Sequence, residues 1–435
     1  MKKELEQEKP PNEKETQMME EVLVGDKEKG YKNKASTCQT ILNTFKLFLG
    51  ISILASPHAF MNSGIVGGII GISLATCLSI GTVLMQSDAA EKTGSIINSY
   101  SDLGYALYRG RGKLIVDTFI LFAQLGICTA YLIFNGRQIE QIVCLETQGE
   151  ICGHKNVYIF LATLILSPIC WIKHLKNLSW IAFIALAGML MALAVILYYD
   201  IYYITIETVE EEEEIEATIK IFDIVHYPLF FGIAVLNFEG NPATLNVQAS
   251  MKNPRRFSFV FFLSAISVST LVIIVSSLSY IAYGDEVEDL ITLNLPHNDL
   301  TTIVRLVYSL GLLASFPLQM FPCLDIVEGF RCYKSLPNLP NFPVAKFLVT
   351  RSCIVIFCGI IAASIPQFGL FLDFIGAFSG TVLCFILPIV FYNKAFADEI
   401  TRSRLVFNYF LLSIGTLLGG ISAVVSFIEI ISALV

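Results

Sequence analysis

Eleven long apolar runs, separated by short polar connections, set the pattern of this chain. They fall near residues 37–62, 65–87, 114–142, 157–172, 178–203, 222–249, 257–282, 300–326, 345–365, 368–392 and 406–434. A helix needs about 20 residues to cross the hydrocarbon of a bilayer. The pattern therefore predicts an all-α, multi-pass membrane protein with about 11 transmembrane helices. Residues 100–109, YSDLGYALYR, are amphipathic and are expected at the membrane interface ahead of the third run.

Two runs are unsuited to a continuous helix. In the first, Thr37 to Gly64, the residues Gly50 and Pro57 bracket Gly50-Ile51-Ser52-Ile53-Leu54-Ala55-Ser56-Pro57. Proline removes a backbone donor and clashes with the preceding turn, and glycine tolerates non-helical dihedrals. In the sixth, Phe238-Glu239-Gly240-Asn241-Pro242 places a carboxylate and a proline at similar depth. Backbone groups freed in hydrocarbon are tolerated only where they face protein or a wet cavity. Two interrupted spans in matching positions of two halves point to the central site of an inverted-repeat transporter. A harmless kink is the plainer reading of either break alone; the carboxylate in the second favours a site.

Composition agrees. Hydrophobic residues make up 54% of the chain and charged residues 15%, against a usual quarter for the latter. The first 35 residues hold 8 Lys, 8 Glu and one Asp and read as a disordered tail (1–35) without the apolar stretch of a signal peptide. The net charge of −8 comes largely from acidic loops and implies no nucleic-acid partner. Lys and Arg gather in the tail and in alternate loops, among them Lys92, Arg109, Arg111 and Lys113, then Lys173 and Lys176, then Lys252, Arg255 and Arg256. The intervening loops are acidic. By the positive-inside rule the N-terminus is cytosolic and the C-terminus is outside or in a lumen. The sequon at Asn177 then lies in a cytosolic loop and is expected to be unglycosylated. The acidic run Glu210 to Glu214 reads as a solvated loop. Most of the eleven cysteines sit in apolar runs and read as small packing residues. Cys144 and Cys152 flank one loop, where an oxidising face permits a disulfide and a reducing one does not.

No hydrolase, kinase, redox or metal-binding motif is present, so nothing argues for an enzyme or a cofactor. Ionisable residues inside spans cost ~2.5–3.5 kcal/mol each at mid-helix and are functional candidates by default. Glu239, in the second break, can bind a substrate ammonium, exchange a proton, or tie freed backbone N–H groups together. Lys46 lies one turn before the first break, as a gating ion-pair partner for Asp325 or Glu328 or as a lysine reaching the cytosolic face. His58 and His226 sit in the outward halves of the broken spans, as proton sensors or as packing residues. Asp373 opens the tenth run near the outer face, where the cost is low. Broken helices also offer their ends. A positive N-terminus around Ser52 to Ala55 suits a carboxylate, and carbonyls around Phe238 to Asn241 suit an ammonium. A small zwitterion, an amino acid, fits both.

The chain resembles the amino acid/auxin permease family, closest to its proton-coupled and vacuolar neutral amino acid transporters, over residues 36–434. The resemblance rests on Lys46 followed by Gly50-Ile51-Ser52-Ile53-Leu54-Ala55-Ser56-Pro57 and Gly64, on Gln124-Leu125-Gly126-Ile127-Cys128-Thr129-Ala130-Tyr131, and on FEGNPATLNVQASMKNPRRF at 238–257. YIAYGDEVEDLITLNLP at 280–296, Phe316-Pro317-Leu318-Gln319 with Glu328, Ile365-Pro366-Gln367-Phe368 with Ile375-Gly376-Ala377, and Leu387-Pro388 complete it. It implies a LeuT-like fold: a 5+5 inverted repeat (about 37–203 and 222–392) plus one extra helix (406–434). It implies transport of small neutral amino acids, commonly driven by H⁺. The matching positions make Gly50, Ile51, Ser52, Ile53 and Leu54, with Phe238, Glu239, Gly240 and Asn241, the substrate region, and the candidates for ion coupling or gating are Glu239, Lys46, His58 and His226.

Three positions depart from the family pattern. The Gly-Thr-Gly triplet is Gly50-Ile51-Ser52, a histidine tied to proton sensing is Asn43, and a glutamate before the Met-Lys motif is Ala249. The resulting expectation is a secondary active transporter of small neutral amino acids, coupled to H⁺ or else Na⁺, with a vacuolar or lysosomal membrane favoured over the plasma membrane. A sodium ion would use carbonyls of the first break with Ser309 and Ser315. An amino acid sensor with little flux is the alternative from another class.

Overall fold

The computed structural model describes residues 34–94, 97–172, 179–210, 219–335 and 345–434. The tail before residue 34, Asn177 of the sequon with Lys173 and Lys176, and residues 211–214 of the acidic run lie outside these. The described chain is helical almost throughout. Its first half comprises α1 (Thr37–Phe48), α2 (Ser52–Ser63), α3 (Ile65–Lys92), α4 (Tyr100–Glu146), α5 (Lys155–Ile169) and α6 (Ser179–Glu210). The second comprises α7 (Pro228–Leu236), a 3-10 turn at Asn241–Ala243, α8 (Thr244–Ser250), α9 (Phe257–Tyr283), α10 (Ile291–Asn294), α11 (Asp299–Gly329), α12 (Arg331–Ser335) and α13 (Ala345–Ser364). The tenth span is α14 (Phe368–Ile375) running through two π-turns into α15 (Leu387–Ala395), and α16 (Arg402–Ser432) follows.

Among the described residues eight helices are long and apolar enough to cross a membrane, nine if α1 and α2 form one bent span. The 15-residue α5 and the divided run α7–α8 fill the two remaining places of the expected series. The amphipathic stretch before the third span is the start of α4, set off from it by a break at Arg109 (φ 57°).

The first span bends by 54° between α1 and α2. Leu49 leaves helical geometry (φ −83°, ψ 81°), and Gly50 follows it. The interruption is shorter than the sequence implied. It is confined to Leu49–Ile51, and Pro57 sits inside α2. Proline there costs one bond, to the Ile53 carbonyl, and the helix continues around it, with the Ser56 hydroxyl donating to the Ser52 carbonyl at 2.9 Å.

The sixth span differs more from expectation. After α7 the chain tightens rather than opens. Phe238 N–H donates to the Val235 carbonyl, Glu239 to Leu236, Asn241 to Phe238 and Ala243 to Gly240, all at 2.9–3.0 Å. Such i→i+3 bonding satisfies donors that a broken helix would leave orphaned. The Phe238 carbonyl, expected to be free for an ammonium, also receives the Cys384 thiol at 3.3 Å.

Close backbone contacts join the two halves and, within the second half, the sixth and tenth spans. Gly64, at φ +74°, makes the turn from α2 to α3, and a Cβ there would lie 2.6 Å from the Phe222 nitrogen. Ile65 and Val66 donate to the Lys220 and Ile221 carbonyls at 3.0 Å, strapping the loop before α7 onto that turn. A Cβ at Gly232 of α7 would stand 1.9 Å from the Asp373 carbonyl oxygen, and one at Gly376 would stand 2.0 Å from the Gly232 carbonyl. Small residues let membrane helices approach this closely. Gly232→Ala is expected to lower the unfolding midpoint in detergent, because backbone cannot yield as a side chain can and overpacking costs about 1–3 kcal/mol or more. A midpoint equal to wild type would show that the sixth and tenth spans separate without cost.

Asp373 is not a low-cost residue near the outer face. It is 1% exposed, between α7, α14 and α16. Its Oδ1 accepts the Ile233 N–H at 3.1 Å, and its Oδ2 accepts the hydroxyls of Ser422 (3.3 Å) and Ser426. The role of tying backbone donors together, considered above for Glu239, is filled by Asp373. Cys144 and Cys152 are joined in a disulfide, with Cα atoms 4.8 Å apart, closing the loop between α4 and α5.

Candidate functional site

The first break and the start of the tightened sixth span face one another across a cavity of about 450 Å³. Asn43, Lys46, Gly50 and Ile51 line it from the first span, Glu239 from the sixth, and Tyr131 from α4. Tyr308, Ser315 and Gln319 of α11 close the far side. A vestibule of about 730 Å³ adjoins it, with Leu47, Glu239 and Gln319 lining both spaces. Residues from Ser99 to Asp102, Lys113, Asp325 and Phe330 place the vestibule's mouth on the side where α1 begins.

Glu239 lies at the centre of this arrangement. Its Oε2 is buried and has no hydrogen-bond partner among the described residues. A Cβ at Gly50 would stand 2.8 Å from its Oε1. Glycine at the first break is what allows the carboxyl group of the sixth span to rest against that backbone. The N-terminus of α2, beside it, has no side-chain cap, so its first N–H groups keep the partial positive charge of a helix start.

Behind the cavity, polar side chains pin the two breaks together. The Ser52 hydroxyl donates to Asn237 Oδ1 at 3.0 Å, and the Asn237 amide donates to Ser56 Oγ at 3.3 Å and to the Ile233 carbonyl at 3.0 Å. Asn241 exchanges hydrogen bonds with Ser79 of α3 at 3.0–3.1 Å. Phe238 packs on Phe48 with ring centroids 6.2 Å apart.

Of the candidate substrate residues, Gly50, Ile51 and Glu239 thus line the cavity, and Gly240 lines the vestibule against Leu47. Ser52, Ile53, Leu54, Phe238 and Asn241 are each at most 1% exposed and form the wall behind it. Lys46 lines the cavity and makes no ion pair among the described residues. Its expected partner Glu328 is bound to Arg351 at 2.8 Å, and Asp325 lines the vestibule. Sequence reasoning assigned no ligand role to Tyr131, Tyr308 or Gln319. Tyr131 and Gln319 lie in strings that carried the family resemblance, which was the available signal.

The opposite end is closed. Arg137 of α4 forms an ion pair with Asp289 and donates to the Pro366 carbonyl at 2.6 Å. Asp289 Oδ2 in turn accepts the N–H groups of Phe368 (2.8 Å) and Gly369 (3.3 Å) at the start of α14. His58 belongs to this closure rather than to the cavity. Its Nδ1 and the Asp289 side chain both flank Gly369.

His226 lies outside the spans. It precedes α7, is exposed, and its ring nitrogen is 2.8 Å from Asp223 Oδ2. That hydrogen bond holds the Asp223 carboxyl well down, to about 2. A depressed carboxylate contributes stability above its unfolded value near 3.9 and loses it as pH falls through the folded value. Asp223 therefore gives up its charge only in strong acid. His226→Ala is expected to leave the pH profile of transport unchanged across the range where histidine titrates; a displaced profile would restore a sensing role.

The sequence profile of the family described as "Transmembrane amino acid transporter protein" matches residues 33–432. Vacuolar amino acid transporter 3 of Saccharomyces cerevisiae is 30% identical over 406 residues, covering 90% of this chain and 56% of its own length. Amino acid transporter AVT3B of Arabidopsis thaliana is 28% identical over 398 residues, covering 88% of this chain and 91% of its own. Thus the chain spans little more than half of the yeast relative and most of the plant one. Among solved structures, the inward-facing conformation of Mhp1 aligns with a TM-score of 0.60 at 11% identity, covering 93% of this chain and 91% of that one. A Na⁺-coupled sialic acid symporter in an outward-open state aligns with a TM-score of 0.53 at 12% identity, covering 91% and 90%. The fold is the LeuT-like one shared by these secondary transporters, and the chain belongs to the transmembrane amino acid transporter family, a family of transporters rather than enzymes.

Proposed function

We propose that the protein is a secondary active transporter of small neutral amino acids, coupled to H⁺, and that the cavity between Gly50 and Glu239 is its substrate site. The observation that carries this is the Glu239 carboxyl group, resting against the first break with one oxygen unpartnered, beside an uncapped helix start. The substrate ammonium would meet Glu239, and its carboxylate the N-terminus of α2. The remaining lining is largely apolar or uncharged, which suits a small neutral side chain. Glu239 is also the buried carboxyl group of this site that can take up and release a proton during the transport cycle.

With the N-terminus in the cytosol, the vestibule opens to the cytosol and the Arg137–Asp289 closure faces the lumen or exterior. Relatives named as vacuolar transporters support an organellar membrane, from which the protein would export amino acids to the cytosol. Sodium is the second reading for the coupling ion. Ser309 Oγ is buried on α11 without a partner among the described residues, and Ser315 lines the cavity.

Uptake of labelled alanine into liposomes containing the purified protein tests the proposal. An inward proton gradient is expected to accelerate uptake and an uncoupler to abolish the gain. Acceleration by sodium alone would replace the proton with sodium, and saturable binding without flux under any gradient would leave a sensor.

A further inference from the structure

Besides Glu239 and Asp373, another carboxyl group is buried, outside the Glu239 cavity. Asp200, on α6, is wholly buried against α9. Its Oδ2 accepts the Ser279 hydroxyl at 2.6 Å. Its Oδ1 has no hydrogen-bond partner among the described residues. One turn earlier on α9, on the face that carries Ser279, Ser276 is also wholly buried, and its hydroxyl likewise has no partner.

The charged and titratable groups at this end are engaged elsewhere. On the same helix, Tyr199 accepts the Asn298 amide, and Tyr203 packs its ring on Tyr283 of α9. The Tyr280 hydroxyl accepts the Lys220 N–H. In the outer loop, Asp223 is paired with Lys220 and His226. On α11, which packs against α6, Arg305 donates through Nε and Nη2 to the Thr292 and Leu295 carbonyls while its Nη1 has no hydrogen-bond partner among the described residues, and Tyr308 faces the central cavity. Among the described residues no cation pairs with Asp200.

A carboxylate in an apolar interior needs a counter-charge or a set of donors. Asp373 has such a set and Asp200 has one hydroxyl. Asp200 lines neither the cavity nor the vestibule, where a hydrated ion would have room. A proton needs none. The geometry points to Asp200 as a proton-binding site, separate from Glu239, in the seam between the fifth and seventh spans. One proton from water binds Oδ1 and removes one negative charge. Oδ2 keeps the Ser279 bond. The bond to Ser279 joins two spans of opposite halves, so occupancy by the proton bears on how firmly those halves are held together.

Infrared difference spectra of the purified protein between acid and alkaline pH test this without relying on transport. The wild type is expected to show a carbonyl band of a buried carboxylic acid that Asp200→Asn removes and Glu239→Gln leaves in place. An Asp200→Asn spectrum superimposable on wild type would overturn the proposal. Should Asp200→Asn fail to fold, Ser279→Ala is the second variant. Loss of its hydrogen bond to Oδ2 is expected to shift the titration midpoint of the same band, and an unshifted midpoint would also overturn it. Absence of proton-driven uptake in the wild type would count against the proposed function yet leave this band where it is.

Discussion

Glu239→Gln is expected to lower alanine binding and proton-driven uptake about 10- to 100-fold while leaving the folded fraction near wild type. A hydrogen bond to a charged partner contributes roughly 1.5–3 kcal/mol, and each 1.4 kcal/mol is about a factor of ten. Glutamine preserves the size of the side chain and its packing beside Gly50, but it can neither balance an ammonium nor exchange a proton. The carboxyl has no protein partner at Oε2 to lose, so the substitution orphans nothing in the empty protein. Binding and pH dependence equal to wild type, in equilibrium binding of labelled alanine and in liposome uptake, would remove Glu239 from the mechanism.

Gly50→Val is expected to be as damaging for a different reason. The first carbon of any side chain at this position falls 2.8 Å from Glu239 Oε1, inside van der Waals contact. The carboxyl must then move away from the break, or the break must move away from the sixth span. The second option is resisted by the bond from Ser52 to Asn237 and the bond from Asn237 to Ser56. Displacing a packed group costs about 1–3 kcal/mol, which corresponds to a loss of affinity of about 5- to 100-fold. Gly50→Ala is expected to show a smaller loss of the same kind. Unchanged alanine affinity in Gly50→Val, measured on monodisperse protein, would mean that the carboxyl does not rest on the first break when substrate binds.

Much of the architecture was legible because hydrocarbon enforces simple rules. Apolar length alone gave the series of spans, and Gly50 with Glu239 marked the cavity from the two places where a continuous helix was unsuitable. The details that escaped are ones that depend on tertiary partners. Pro57 reads as a helix breaker, yet within α2 it costs a single bond and the helix continues. The motif around Gly240 and Pro242 reads as an opening, yet i→i+3 bonds close it. Asp373 sits close to the end of an apolar run and reads as interfacial, and only the folded chain brings Ser422 and Ser426 of α16, and the start of α7, around its carboxyl. Asp200, Arg137, Arg305 and Arg351 were passed over for a related reason. Each lies near the end of an apolar run, where a charge reads as belonging to a loop; the partners of Asp200, Arg137 and Arg351 come from segments distant in sequence, and those of Arg305 from the connection just before α11. Glu328 was matched to Lys46 by depth, but Arg351 supplies the neighbouring charge.

The central claim is that one cavity reads both ends of a zwitterion, the ammonium at Glu239 and the carboxylate at the start of α2. Competition against labelled alanine binding to the purified wild-type protein, using unlabelled alanine, ethylamine and propionate, tests it most directly. Ethylamine keeps only the ammonium and propionate only the carboxylate. The account predicts that alanine competes and that each half-molecule does so far more weakly. Ethylamine or propionate competing as well as alanine would show that only one end is recognised, and would contradict the site described here.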